Sequence, residues 1–190
     1  MKDAAGNASA LVRGKRRRHF GVVFFLVFLT AMVAFFFREV LFEGRVFFFR
    51  DFGFYFYPKA HLVAERMRNL DIPFWNPCGG CGEPVLGSYQ GAVFYPPALV
   101  YYIFPRPASY MWFVALHPLL SGAGMFFLMR KLGVRRGAAG FTAFAWTFSP
   151  VLLSTIENVS FITTLSWLPW CLLFTRTLHL RISFRSFLGL

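Results

Sequence analysis

Four uncharged stretches of 17 residues or more read as long helices, and polar residues punctuate them unevenly. Phe20–Phe37 reads FGVVFFLVFLTAMVAFFF, 18 residues without a charge. At about 1.5 Å per helical residue, such a run approaches the roughly 30 Å hydrocarbon core of a bilayer. Ser109–Met129, Gly137–Ile156 and Val159–Thr175 are also free of Asp, Glu, Lys and Arg. The third carries Gly137, Ala138, Ala139, Gly140, Ala143 and Ala145, small residues that permit close helix contact in a membrane. Pro118, Pro150 and Pro169 fall in or near these runs, where membrane helices tolerate proline better than soluble ones do. The pattern predicts an all-α, polytopic helical membrane protein with about four transmembrane helices at residues 20–37, 109–129, 137–156 and 159–175.

Composition supports that class. Of 190 residues, 57% are hydrophobic, 21% aromatic and only 15% charged, with 27 Phe. A soluble domain averages about 25% charged residues. Disorder is excluded by the hydrophobicity, and a disulfide framework by a count of three Cys. The net charge of +12 invites a nucleic-acid reading, but the distribution argues otherwise. The tail 1–19 carries +5, the loop 38–108 carries +1, and the connection Arg130–Arg136 carries +4. The turn at Glu157 carries −1, and the segment 176–190 carries +3. Bases concentrate in alternate connections, as the positive-inside rule requires for four spans with a cytoplasmic N-terminus. The expected partners are therefore membrane lipids and not nucleic acid. Arg13–Arg18 precedes the first run like a signal n-region, but no small-x-small cleavage site follows, which predicts an uncleaved anchor. The end, Ser183–Leu190, reads as the approach to a further span, so the chain is expected to continue in a larger protein.

The loop 38–108 far exceeds the usual helix–helix connection and is the expected functional region. It opens on FFFRDFGFYFYP (residues 47–58), an acid among aromatics. Lys59–Leu70 reads as a helix on the membrane face. A turn-rich stretch, Asp71–Pro84, follows. Ala98–Phe104 reads as interfacial or re-entrant, with Tyr101 and Tyr102 near the headgroups. Asp51 suits a general base toward an acceptor hydroxyl; the alternative is that it pairs with Arg50 or caps the next segment. Arg50 and Lys59 suit a phosphate or, equally, lipid headgroups. Tyr55 and Tyr57 suit stacking on a sugar, or an aromatic belt. Asn76, Glu83 and Gln90 suit sugar hydroxyls or the backbone of turns.

The ordered set Arg50-Asp51-x-x-x-Tyr55-x-Tyr57-Pro58, Ile72-Pro-Phe-Trp-Asn-Pro77, Gly82-x-Pro84 and Tyr95-Pro-Pro97 resembles the YfhO-like bacterial membrane proteins, within the GT-C class of polytopic glycosyltransferases. The likeness runs from about Phe20 to the C-terminus; each piece alone is unspecific. The resemblance implies transfer of a sugar from a polyprenyl-phosphate donor to a cell-envelope acceptor polymer, on the outer face of the bacterial cytoplasmic membrane. It implies a role for Asp51 as base or in orienting acceptor or metal. Some members of the class use a divalent metal and others none, so no cofactor is assigned and no metal ligand is expected. The class has about a dozen spans, so the resemblance implies activity in a full-length protein rather than in these 190 residues alone.

The rival class is a non-enzymatic membrane protein, a transporter or flippase segment or a structural partner, which predicts intramembrane charge and discontinuous helices. His117, in mid-span, is its main candidate; the alternative is a neutral His bonding a neighbouring helix. Cys78-x-x-Cys81 is one pair where zinc needs two pairs or added His, so it reads as a local disulfide or two free thiols. Cys171 reads as packing. Glu157–Asn158 reads as an outer turn, either solvated or facing the same external site as Asp51.

Overall fold

The computed structural model describes residues 20–104 and 107–181; the tail 1–19 and the end of the expected segment 176–190, from residue 182 on, lie outside them. The chain is mostly helical. Helix α1 (Phe20–Phe36) is followed, after one turn residue, by α2 (Arg38–Phe42). The long loop holds a π-helix at Phe52–Phe56, α3 (Tyr57–Arg68) and a two-stranded hairpin of β1 (Trp75–Asn76) and β2 (Glu83–Pro84). It closes with single 3₁₀ turns and α4 (Leu99–Ile103). Then come α5 (Pro107–Lys131), α6 (Arg136–Thr147), α7 (Pro150–Ser154) and α8 (Val159–Arg181).

Among the described residues, two helical segments are long and apolar enough to cross a membrane: Ala108–Lys131 and Arg136–Glu157. Helix α1 is apolar but shorter. Helix α8 is long, but Ser160, Thr163, Thr164 and Ser166 interrupt its apolar character; the last three return their hydroxyl protons to carbonyls of their own helix. The third expected span is not one continuous helix. Pro150 lacks an N–H and enters at the first position of α7, while the Ser149 hydroxyl accepts from the Leu152 amide at 3.3 Å. Together they end α6 and restart the helix.

Helix α5 is the axis. It packs along α6 and α8, and the loop elements α2 and α4 lean on it. Close approach is bought by glycine: a Cβ on Gly122 would lie 2.1 Å from Thr147 Oγ1, and one on Gly124 would lie 2.6 Å from the Trp170 indole nitrogen. The loop is not a tether over the helices but part of their core. Phe52, Phe56, Val63, Val85, Val93 and Ala98 are buried in one cluster with Met111, Phe113, Val114, Leu152 and Ile162. This corrects the expectation for Tyr101 and Tyr102. Both rings are buried, Tyr101 edge-on to Tyr110 and Phe113, and the Tyr102 hydroxyl donates to the Ala92 and Val93 carbonyls. Burial pushes both phenols up, Tyr102 to about 12. A short apolar helix meets either lipid or protein; here α3 and α5 supply protein first.

A polar chain fastens the loop to two helices. His117, fully buried on α5, has Nδ1 2.7 Å from the Phe113 carbonyl, which only accepts, so Nδ1 carries the proton. Its Nε2 therefore accepts from the Tyr95 hydroxyl at 2.9 Å, and that hydroxyl accepts from Trp167 Nε1 at 2.7 Å. His117 bonds the loop and its own helix, not the neighbouring helix. Replacing Tyr95→Phe leaves the buried His117 Nε2 without a partner and frees the Trp167 indole nitrogen, at a cost of about 1–3 kcal/mol. A lowered thermal midpoint in detergent micelles is the expected result, and an unchanged midpoint would show that the chain bears no load.

Candidate functional site

The loop elements converge on one buried cation. The π-helix carries Tyr55, and α3 follows it without a break, so Tyr55 and Lys59 lie on one face. Lys59 is only 2% exposed, which an ammonium tolerates only with a counter-charge and full hydrogen bonding. Glu83, on β2, supplies the charge: Lys59 Nζ donates to its Oε2 at 2.9 Å. Nζ also donates to the Tyr55 hydroxyl and lies 4.0 Å from the Tyr55 ring centroid. The Tyr55 proton then goes to Gln90 Oε1 at 2.5 Å, since the Glu83 oxygen is at 3.4 Å.

The hairpin fixes the carboxylate. Asn76 pairs with Glu83 across the antiparallel ladder, and its Nδ2 donates to Glu83 Oε1 at 3.1 Å. Its Oδ1 accepts from the Cys78 amide at 3.0 Å, closing an Asx turn. Asn76 therefore serves both the turn and the carboxylate. At Gly82, with φ +98°, a Cβ would lie 2.5 Å from the Trp75 ring, so only glycine lets the tryptophan fold across the hairpin. Partial burial pushes the Glu83 carboxyl up, but hydrogen bonds from Lys59 and Asn76 and the Lys59 charge outweigh it. The net pKa lies below the usual range.

This cluster forms one wall of a cleft of about 570 Å³ between α3 and the hairpin. Phe54 and Tyr55 give it an aromatic side; His61, Glu65, Asn76 and Glu83 give it polar groups. Thus Tyr55, Lys59, Asn76, Glu83 and Gln90 are brought into one network. Three other candidates take no part in that network. Tyr57 turns to the core, its ring 5.9 Å from that of Tyr110, because residues two apart on a helix face different sides. Arg50 pairs with Glu157 at 3.6 Å, both side chains well exposed. Asp51 is exposed just ahead of the π-helix and has no ion pair or side-chain hydrogen bond among the described residues.

The expected grip of Lys59 on phosphate does not match its burial: an anion would have to displace Tyr55 or Glu83 to reach it. Sequence reading missed His61 and Glu65 as cleft residues. Their signal was helical spacing, since Phe54, Pro58, His61 and Glu65 step by three or four residues. Cys78 and Cys81 are exposed free thiols; Cys171 is free and exposed too, not packed. Among the described residues no three His, Cys, Asp or Glu side chains are placed to hold a metal ion.

No family model, no curated protein and no solved structure matches this chain.

Substituting Glu83→Gln leaves Lys59 buried without its counter-charge. Fully buried pairs lose about 3–5 kcal/mol on such a change, and the partial exposure of Glu83 sets the expectation near 2 kcal/mol. Because the folded-state pKa of Glu83 is lowered, its stabilisation is complete above the ordinary value of 4.5 and is lost as pH falls through the lowered pKa. Thermal unfolding against pH checks both points: the wild type loses stability below pH 4.5 by more than Glu83→Gln does.

Proposed function

We propose that this chain is part of a polytopic membrane glycosyltransferase of the GT-C class, YfhO-like, with the cleft between α3 and the hairpin as its sugar site on the outer face of the bacterial cytoplasmic membrane. The observation that supports this most is the cleft itself: an aromatic side beside a carboxylate and a carboxamide held rigidly by a buried lysine. Sugar rings present apolar faces and rims of hydroxyls, and such a wall offers partners for both. Lys59, Tyr55 and Gln90 hold Glu83 and Asn76 in place, so Lys59 acts as a positioning residue.

Arg50 remains the candidate for the donor phosphate. Its surface pair with Glu157 is of the kind worth at most about 1 kcal/mol, and a phosphate accepts a bidentate guanidinium. Asp51, uncommitted to any ion pair among the described residues, is the candidate base. In the step proposed, an acceptor hydroxyl attacks the anomeric carbon and its proton passes to Asp51. The bond from that carbon to the phosphate oxygen breaks, and polyprenyl phosphate leaves with the electron pair.

A second reading, a transporter segment, draws on the interruption between α6 and α7 and on buried His117. The two separate in one experiment on the full-length protein. Transferase action predicts a polyprenyl-phosphate sugar among copurifying lipids by mass spectrometry, diminished in Arg50→Gln. It also predicts that Asp51→Asn inserts in normal amount yet loses transfer by about 10²–10⁴-fold, the usual worth of a general base. Retained transfer in Asp51→Asn removes that residue from the mechanism.

A further inference from the structure

At the end of the molecule where α5 finishes in Arg130 and Lys131, α1 and α6 lie side by side and leave a trough of about 470 Å³. Its floor is the stacked pair Phe25–Phe126, with ring centroids 4.3 Å apart, above buried Ala139 and Ala143. Its rim is Phe24, Phe28 and Phe141, all exposed. Glycines keep it open. Gly140 lets the Phe25 ring approach to 3.2 Å of where a Cβ would sit, and Gly137 faces open space, with nothing within 4 Å of such a Cβ. One end is polar: Arg136 belongs to the lining, and its guanidinium lies against Gly21, with Nη1 3.2 Å from a Cβ built there.

The sequence around that end is Arg130-Lys-Leu-Gly-Val-Arg-Arg136, four bases and no acid. An apolar trough that terminates in a guanidinium, inside a basic connection, complements one kind of molecule: an apolar chain with an anionic head. A phosphodiester offers the guanidinium two oxygens. The cytoplasmic leaflet, where basic connections reside, is the leaflet rich in anionic lipid. We infer that the trough between α1 and α6 holds an acyl chain of an anionic phospholipid, with the phosphate against Arg136. This site lies at Arg136, whereas the sugar cleft belongs to the loop between α2 and α5. The inference rests on the membrane reading above but not on the transferase reading.

The test places the full-length protein in phosphatidylcholine vesicles containing a trace of phosphatidylglycerol with a photoactivatable acyl chain, or the matching phosphatidylcholine probe. Crosslinked residues are mapped by mass spectrometry. The expected result is labelling of Phe24, Phe28 and Phe141 about tenfold stronger with phosphatidylglycerol, the effect of roughly one charge-assisted contact. Arg136→Gln brings it down to the phosphatidylcholine level. Gly137→Leu, which grows into open space on a helix, fills the trough and abolishes that labelling while leaving exposed Phe161 of α8 labelled as before. Equal labelling by both probes, or labelling unaffected by Gly137→Leu, means bulk lipid only and overturns the inference. Labelling of Phe161 without labelling of the trough means that protein covers it, and overturns it too. A protein that does not enter the vesicles at all sinks the membrane reading, a failure distinct from uniform labelling.

Discussion

A buried ammonium cannot stand alone, and much of the loop's architecture answers to that constraint. Lys59 leaves water almost completely, so a carboxylate has to come to it from 24 residues away. That requirement sets where the hairpin docks, which way Glu83 points, and why Asn76 must face it across the ladder. It also engages Tyr55, whose hydroxyl passes the network on to Gln90 near the next 3₁₀ turn. The π-turn, α3, the hairpin and the next 3₁₀ turn are thereby held in one arrangement. Apolar packing of Phe52, Phe56, Val63 and Val85 then presses the assembly onto α5.

The helices and the loop are consequently one folding unit. The Trp167–Tyr95–His117 chain shows how: a directional series of protons runs from α8 through the loop into the middle of α5. In an apolar medium an unpaired indole or imidazole is costly, so a chain in which the Tyr95 hydroxyl and the His117 ring each both give and receive is a strong geometric constraint. It fixes the distance between α5 and α8 at the level of Tyr95. Nearby, Arg50 reaches Glu157 just ahead of α8, a second and looser link between loop and helices on the same side.

Much of this was legible in the chain. Long uncharged runs announced α5 and α8, and the turn-rich residues 71–84 announced an irregular stretch that proved to be a hairpin. Five of the polar and aromatic candidates in the loop lie in one network because each is a costly residue to keep among aromatics. What stayed hidden was pairing across sequence distance. Nothing local links Lys59 to Glu83, or Tyr95 to His117 and Trp167; those contacts depend on how the loop folds back. The burial of Tyr57, Tyr101 and Tyr102 was hidden for a related reason. An amphipathic ring suits a headgroup region or a protein core equally well, and only the tertiary neighbours decide. The interruption after Thr147 was signalled by Pro150, but tolerance of proline in membrane helices masked it.

The backbone around Asp51 is unusual on both sides. Arg50 sits in the left-handed region at φ 45°, where a non-glycine residue is uncommon, and the wide turn of the π-helix begins at Phe52. Ordinary helix tolerates slippage, since adding a residue rotates a side chain by about 100° and the neighbouring turn absorbs it. A left-handed residue abutting a π-turn offers no such freedom, because neither conformation extends by repetition. The Asp51 backbone is thus fixed in register. Lengthening or shortening the stretch between Phe49 and Phe52 by one residue would re-aim Asp51 and carry Tyr55 and Lys59 out of line with Glu83 together. Variation in loop length is therefore expected to gather elsewhere, around Gly44 and Gly80, where positive φ and open space leave the backbone free to accept it.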